Sequence, residues 1–306
     1  AAGGAVMEIR TFSPCRLCPR DCGAKRSEGH RGRCGVTDTL RVARAALHYW
    51  EEPCISGENG SGAVFFSGCN LGCVFCQNRD ISDGRAGKDI SPERLLEIFF
   101  SLKKQGAANI NLVTPSHYLP ALAPVLQEAR ASGLDLPIVY NTGGYEYSEA
   151  LRLLDGLVDI YLPDFKYMDP ALAARYSQAP DYPDRAKEAL AEMVRQTGEA
   201  VFDDAGMMKR GVIVRHLALP GQLSDSMSVL AYLHETYGEQ IFLSIMNQYT
   251  PMPGIGKMFP ELGRKLSEEE YDTLVDYAVL LGVENGFIQE GDTAEESFIP
   301  PFDLEG

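Results

Sequence analysis

Three cysteines in one short segment carry the most specific chemistry in the chain: Cys69, Cys73 and Cys76 stand at C-x3-C-x2-C directly after an apolar run at 63–67. Three thiolates on one loop ligate three irons of a four-iron cubane and leave the fourth iron without a protein ligand. An open iron is what a substrate-binding cofactor needs. Structural zinc wants a closed set of four ligands, and the nearest spare thiol, Cys54, lies before the apolar run.

A second set, Cys15, Cys18, Cys22 and Cys34, reads C-x2-C-x3-C-x11-C. Four thiols close a tetrahedral zinc site or hold an auxiliary [4Fe-4S] cluster, and the residues leave both open. Arg16, Arg20, Arg26, Arg31 and Arg33 surround them and suit either thiolate assembly. All eight cysteines precede residue 77. No basic start with an apolar stretch precedes them, so they read as metal ligands or free thiols of a reducing, cytoplasmic setting rather than as disulfides.

These thiols need a scaffold, and the hydrophobic pattern supplies one. Runs rich in strand formers recur at 63–67, 109–113, 137–141, 158–162, 211–217 and 241–246. Helical patterns fall at 92–105, 120–131, 147–154, 183–197, 226–237 and 268–281, several opening on Ser, Asp or Pro as helix starts prefer. Alternating strands and helices predict a parallel sheet with right-handed crossovers, and six strands favour an incomplete (β/α)6 barrel over a closed eight-stranded one. Such a scaffold places its chemistry at the C-terminal ends of its strands. Residues 1–6 read as an expression scar, 7–53 as a cysteine-rich extension too poor in apolar residues to fold without metal, 54–290 as the partial barrel and 291–306 as an acidic tail. The joining stretch holds Trp50, expected to pack the two parts together, and Cys54, expected to be a free buried thiol.

The 67–78 loop, with the aromatic Phe75 just before its last cysteine, resembles the signature of the radical S-adenosylmethionine superfamily. After about residue 45 the chain looks closest to the pyruvate formate-lyase activating enzyme group, in the branch with a cysteine-bearing N-terminus. The resemblance implies one-electron reduction of a [4Fe-4S] cluster, transfer of that electron into the sulfonium of S-adenosylmethionine, and release of methionine and a 5′-deoxyadenosyl radical that abstracts a hydrogen atom. It makes Phe75 a neighbour of the adenine. It also makes the strand ends cofactor contacts. The second carries Thr114-Pro-Ser-His117 where the family has Gly-Gly-Glu, so Thr114, Ser116 and His117 are the candidate acceptors for the methionine amino group. The third and fourth carry Asn141-Thr-Gly-Gly and Asp164-Phe-Lys166, with Lys166 matched to the methionine carboxylate and Asn141, Thr142 and Asp164 at the positions of a monovalent cation site. Arg215, ending the fifth strand before Leu219-Pro-Gly221, resembles an arginine that faces the cofactor, and on a core strand it needs an acidic or ligand partner. Met246 at the end of the sixth strand reads as core, with the polar Asn247 and Gln248 after it.

A net charge of −15 argues against nucleic acid and anionic membrane as partners, and no apolar run approaches the ~20 residues of a bilayer crossing. The expected partners are a one-electron donor such as flavodoxin or ferredoxin and a protein, peptide or small-molecule substrate. The leading expectation is hydrogen abstraction that activates a glycyl-radical enzyme. Radical modification of another peptide or metabolite uses the same parts. A non-catalytic iron-sulfur carrier has no use for Asp164, Lys166 and Arg215.

Overall fold

The computed structural model describes residues 11–288, so the segments read as a scar and a tail lie outside the described residues. Ten strands are present among the described residues: β1 (Arg41–His48), β2 (Ser61–Phe66), β3 (Lys88–Asp89), β4 (Ile110–Val113), β5 (Ile138–Thr142), β6 (Ile160–Pro163), β7 (Val201–Phe202), β8 (Met208–Leu217), β9 (Phe242–Met246) and β10 (Gly286–Ile288). They pair in the order β10-β9-β8-β6-β5-β4-β2-β1-β3, with β7 attached to β8. The run from β2 through β4, β5, β6 and β8 to β9 is parallel throughout and is the predicted six-stranded partial barrel.

Two flanking strands add to the six. β10 extends the parallel sheet beyond β9, and β1 pairs antiparallel with β2 from Val42 opposite Phe66 to His48 opposite Ser61. Residues 41–48 therefore belong to the sheet, although their Arg- and Ala-rich sequence placed them with the extension. The segment covers an edge that β2, apolar on both faces, could not leave bare.

Side chains alternate across the parallel strands, as a pleat requires. Ile138, Tyr140, Tyr161, Val212 and Val214 pack outward into the large core shared with the helices, while Val139, Ile160, Leu162 and Ile213 form a smaller inner cluster. The same alternation turns Asn111, Asn141, Arg215 and Ser244 toward the interior, because their strand neighbours face the helices. The helices match the predicted segments: Pro92–Lys104 starts at Ser91, whose side chain accepts from the Arg94 amide, and Glu268–Leu281 starts with a capping box between Ser267 and Glu270.

The linker between β1 and β2 enters the inner face. Cys54 and Ile55, in the short helix Pro53–Ser56, join the inner cluster, and the Ile55 carbonyl accepts from Asn109 Nδ2 at 2.7 Å. Cys54 is buried as expected, and burial pushes its thiol up to about 12. Trp50 behaves otherwise. It is 60% exposed at the rim of the central cavity, and the extension joins the barrel through other apolar side chains, Leu17, Val36 and Leu40, and through polar contacts. Cys69 N donates to the Cys34 carbonyl at 3.2 Å, and Arg20 donates to carbonyls on two barrel segments. Among the described residues no helix is long and apolar enough to cross a membrane.

Candidate functional site

A cavity of ≈ 530 Å³ opens where the parallel strands end, a size suited to a small-molecule cofactor with its partner. Its wall includes Cys69, Cys73 and Cys76, together with Thr114, Asn141, Asp164, Lys166 and Arg215. The loop that carries the thiols leaves β2 through Gly68 (φ +90°) and turns again at Gly72 (φ +71°), conformations open to glycine at little cost. A Cβ on Gly68 would lie 2.6 Å from the Cys34 carbonyl, so only glycine lets the extension sit this close behind the loop.

The thiols are set up as acceptors. The Leu71 amide donates to Cys69 Sγ at 3.4 Å, and the Ser177 hydroxyl donates to Cys73 Sγ at 2.9 Å. Burial pushes the Cys76 thiol up to about 12 and also raises Cys73, with the neighbouring cysteines adding to the rise and Lys166 opposing it. Among the described residues, no three His, Cys, Asp or Glu side chains form a ready-made metal-holding group. The donor chemistry nonetheless fits an iron-sulfur cluster: three sulfurs on one loop face one cavity, and two of them already receive the N–H and O–H bonds that thiolate ligands use.

Opposite the loop lies a charged network. Lys166 Nζ stands 2.7 Å from Asp164 Oδ2, and Arg215 reaches Asp164 Oδ1 at 3.1 Å, Asn141 Oδ1 at 2.6 Å and Glu51 Oε2 at 3.2 Å. Burial works against ionising Asp164, but the two cations outweigh it and hold the carboxyl below its usual range. Burial likewise disfavours the charge on Lys166 and Arg215, and their carboxylate partners reverse the balance and keep both protonated. Arg215 thus has the acidic partner its core position requires. The oxygens assigned by resemblance to a monovalent cation are engaged within the protein: Asn141 and Asp164 with Arg215, and Thr142 Oγ1 with Glu146.

Two expected contacts fall elsewhere. Ser116 and His117 are buried beneath the thiol loop rather than in the cavity wall, because the short turn Ser116–Tyr118 rolls them inward. His117 Nε2 meets the Ser67 carbonyl at 2.8 Å, and burial together with Arg26 lowers its pKa to about 3, so the ring is neutral. Thr114 alone of that stretch reaches the cavity, in a left-handed conformation (φ +56°) that a threonine adopts only when its surroundings hold it there. Phe75 is buried in an aromatic group with Tyr167, Tyr176 and Tyr249 and lines the cavity as well. Met246 and Gln248 also line it, and Gln77 Nε2 donates to the Gln248 carbonyl at 2.8 Å, tying the thiol loop to the end of β9.

A family model for the radical SAM superfamily matches residues 63–211, which holds the thiol loop and the ends of β4, β5 and β6. Over that stretch, just under half of its length, the chain is similar to the radical SAM superfamily. The sequence is 28% identical over 274 residues to an uncharacterized protein of Methanocaldococcus jannaschii, covering 87% of this chain and 75% of that one. It is 29% identical over 120 residues to the pyruvate formate-lyase-activating enzyme of Clostridium pasteurianum, covering 38% of this chain and 49% of the enzyme. Among solved structures it resembles Streptococcus suis SuiB bound to S-adenosylmethionine, with a TM-score of 0.50 and 13% identity over 72% of this chain and 48% of SuiB, a likeness of fold. The chain spans about half the length of those last two relatives.

Sequence reasoning missed two groups of carboxylates in and beside this site. Glu51 and Glu52 read as linker residues, yet both line the cavity. Glu146 is fully buried behind Thr142, with Tyr140 Oη donating to it at 2.7 Å, and burial raises its carboxyl to about 7. The Glu-Glu pair after a strand, followed by Pro53 and the apolar Cys54 and Ile55, was the available signal, since a solvated linker seldom runs straight into apolar residues that turn out buried.

The extension's four thiols converge without closing. Cys15 and Cys34 are buried, Arg26 Nη1 lies 3.7 Å from Cys15 Sγ, and a Cβ on Gly32 would lie 3.3 Å from Cys34 Sγ and 3.5 Å from Cys22 Sγ. Burial pushes the Cys18 thiol up to about 12, with Cys34 and Cys15 contributing.

Proposed function

We propose that the chain reductively cleaves S-adenosylmethionine at a [4Fe-4S] cluster held by Cys69, Cys73 and Cys76, and passes the resulting radical to a partner molecule by hydrogen abstraction. The observation that carries this reading is the shared cavity: three thiols on one side and the Asp164, Lys166 and Arg215 network on the other. The cluster and S-adenosylmethionine supply the chemistry when bound, one electron entering the sulfonium and breaking its bond to the 5′ carbon, so that methionine leaves and the 5′-deoxyadenosyl radical takes a hydrogen atom. The protein's share is orientation. Lys166, held by Asp164 and buried, is placed to pair with a carboxylate, and Arg215 keeps Asn141 and Asp164 in position. Phe75 and its tyrosine neighbours exclude water from the loop side.

The electron comes from a one-electron donor of the flavodoxin or ferredoxin type. The extension's four cysteines hold zinc or a second cluster. Glycyl-radical enzyme activation is the finer reading, supported by the partial likeness to the clostridial activating enzyme. The deciding experiment supplies anaerobically reconstituted protein with dithionite and S-adenosylmethionine and measures 5′-deoxyadenosine. Formation that depends on all three loop cysteines supports the reading, and a reducible cluster that yields no 5′-deoxyadenosine makes the chain a carrier.

A further inference from the structure

The inner end of the cavity carries a carboxylate that the proposed cofactor chemistry does not use. Glu52 is 8% exposed, lines the cavity and accepts from Ser244, and its Oε2 is buried with no hydrogen-bond partner among the described residues. A buried carboxylate oxygen left unmatched costs free energy, so such groups in native proteins call for a ligand or a role. Its neighbours are already committed. Arg215 is spent on Asp164, Asn141 and Glu51, and Glu51 accepts from Asn111 Nδ2 at 3.0 Å.

Position in the sheet separates this carboxylate from the thiol loop, since Ser244 lies on β9 and the loop follows β2. Glu52 is adjacent to Ser244 and Glu51 to Asn111, and both partners lie two residues before the last residue of their strands. In the ladder Ser244 pairs with Arg215 and Arg215 with Asp164, so Glu52 stands beside the charged network, across the cavity from the thiol loop that leaves β2. Charge completes the description: the cavity wall holds the carboxylates of Glu51, Glu52 and Asp164 against the cations of Lys166 and Arg215. Both cations are paired, and burial disfavours the charge on Glu51 and Glu52 with Arg215 opposing, so a further cation beside Glu52 would hold it in its charged form. A protonated amine supplies what is missing, a positive charge with N–H donors directed at one oxygen.

We propose that Glu52 is a substrate-selecting residue, accepting a primary ammonium group of the molecule from which hydrogen is abstracted. The proposal rests on the reading of the site as a radical SAM centre, and it adds the substrate class: an amine-bearing peptide side chain or small metabolite. Glu51, locked to Asn111 and Arg215, holds the linker so that Glu52 faces inward.

The test compares n-butylammonium with 1-butanol, alike in shape and different in charge, by saturation-transfer NMR on the anaerobically reconstituted holoprotein. Wild type should prefer the amine by about tenfold or more, the scale of one buried charged hydrogen bond. Glu52→Gln should abolish that preference, Glu52→Asp should keep part of it, and S-adenosylmethionine affinity measured by equilibrium dialysis should stay within about twofold in both. Equal binding of amine and alcohol by wild type, or failure of the amine to bind, overturns the proposal without needing any variant to fold. A tenfold loss of S-adenosylmethionine affinity in Glu52→Gln also overturns it, by assigning the carboxylate to the cofactor's own amino group. None of these readouts requires turnover, so absence of 5′-deoxyadenosine formation defeats the functional reading separately.

Discussion

Arg20 reaches fifty residues along the chain to donate through Nε to the Asn70 carbonyl at 2.6 Å, inside the thiol loop. The same guanidinium meets Leu71 O at 2.9 Å and Ser177 O at 2.7 Å, and it lies over the Tyr145 ring at 5.2 Å. One residue of the cysteine-rich extension thus fastens the thiol loop to the helix Pro170–Ser177, whose last residue donates to Cys73. Loop carbonyls that belong to no helix or sheet are satisfied by a side chain from elsewhere in the chain.

Arg20→Ala should therefore cost about 2–4 kcal/mol, from lost charged hydrogen bonds and carbonyls left buried. Arg20→Lys should recover little, because an ammonium cannot reach several carbonyls in the plane a guanidinium spans. Urea denaturation gives the stability, and the rate of bleaching of the reconstituted cluster in air gives the loop's integrity. Wild-type bleaching in Arg20→Ala would show that the loop holds itself.

Lys166→Ala should weaken S-adenosylmethionine binding by roughly thirtyfold, about 2 kcal/mol, while iron per chain stays at the wild-type value. Asp164→Asn should behave worse than the lysine change. It leaves Lys166 and Arg215 buried without their shared anion, and breaking a buried pair from one side costs about 3–5 kcal/mol. Equilibrium dialysis, iron analysis and denaturation separate these outcomes. Unaltered cofactor affinity in Lys166→Ala would remove the lysine from the binding site.

Glu146 makes a pH prediction with a definite sign. Its folded carboxyl titrates at about 7 because burial outweighs the bonds from Thr142 and Tyr140, whereas an unfolded glutamate titrates near its ordinary value of 4.5. The folded state holds the extra proton between those values, so this group's stabilising contribution is present at low pH and lost as pH rises through about 7. Its full span is about 3 kcal/mol at most. Glu146→Gln should then gain stability relative to wild type between pH 5 and pH 8, measured as the difference in urea midpoints. A difference that does not change with pH would mean the carboxyl is already ionised in the folded protein.

The strands and helices that bear the site were legible because β-branched and aromatic runs alternate with amphipathic helices, and the thiol loop because its spacing has few other uses. What escaped depended on pairing across the chain. β1 is Arg-Val-Ala-Arg-Ala-Ala-Leu-His, poor in strand formers, and becomes a strand only through the ladder with β2. Glu51 and Glu52 look like solvated linker charges until the linker is seen to run under the sheet. Trp50 carries apolar area that suggests an interface, but Leu17, Val36 and Leu40 make that interface and the indole stands at the cavity rim. Ser116 and His117 were assigned by position after a strand, and a single turn of 3-10 helix was enough to bury them.

The last prediction concerns Cys15, Cys18, Cys22 and Cys34. Their segment contains one turn of 3-10 helix, Arg26–Glu28, and a few buried apolar side chains such as Leu17 and Val36. That is little to order it, so a thiolate-bound metal should supply folding free energy, as in small zinc domains. The Cys15 and Cys34 thiols are buried, with the buried Arg26 guanidinium against Cys15 and in the electrostatic range of Cys34, a cation suited to offset bound thiolates. Changing Cys18 and Cys22 to Ser should loosen the extension, release Arg20 from the loop and make the barrel's cluster more labile, while the loop thiols keep their iron under anaerobic conditions. Metal analysis of the wild-type protein decides the element: one zinc per chain beside about four irons makes the site structural, and about eight irons make it an auxiliary cluster. An auxiliary cluster would stand directly behind the loop, where the Cys34 carbonyl accepts from the Cys69 amide at 3.2 Å, a short route for an electron entering from a donor protein. Protein carrying only the loop's irons and no zinc, with all four thiols open to alkylation in the folded state, would show that the extension is held by Arg20 and its neighbours alone.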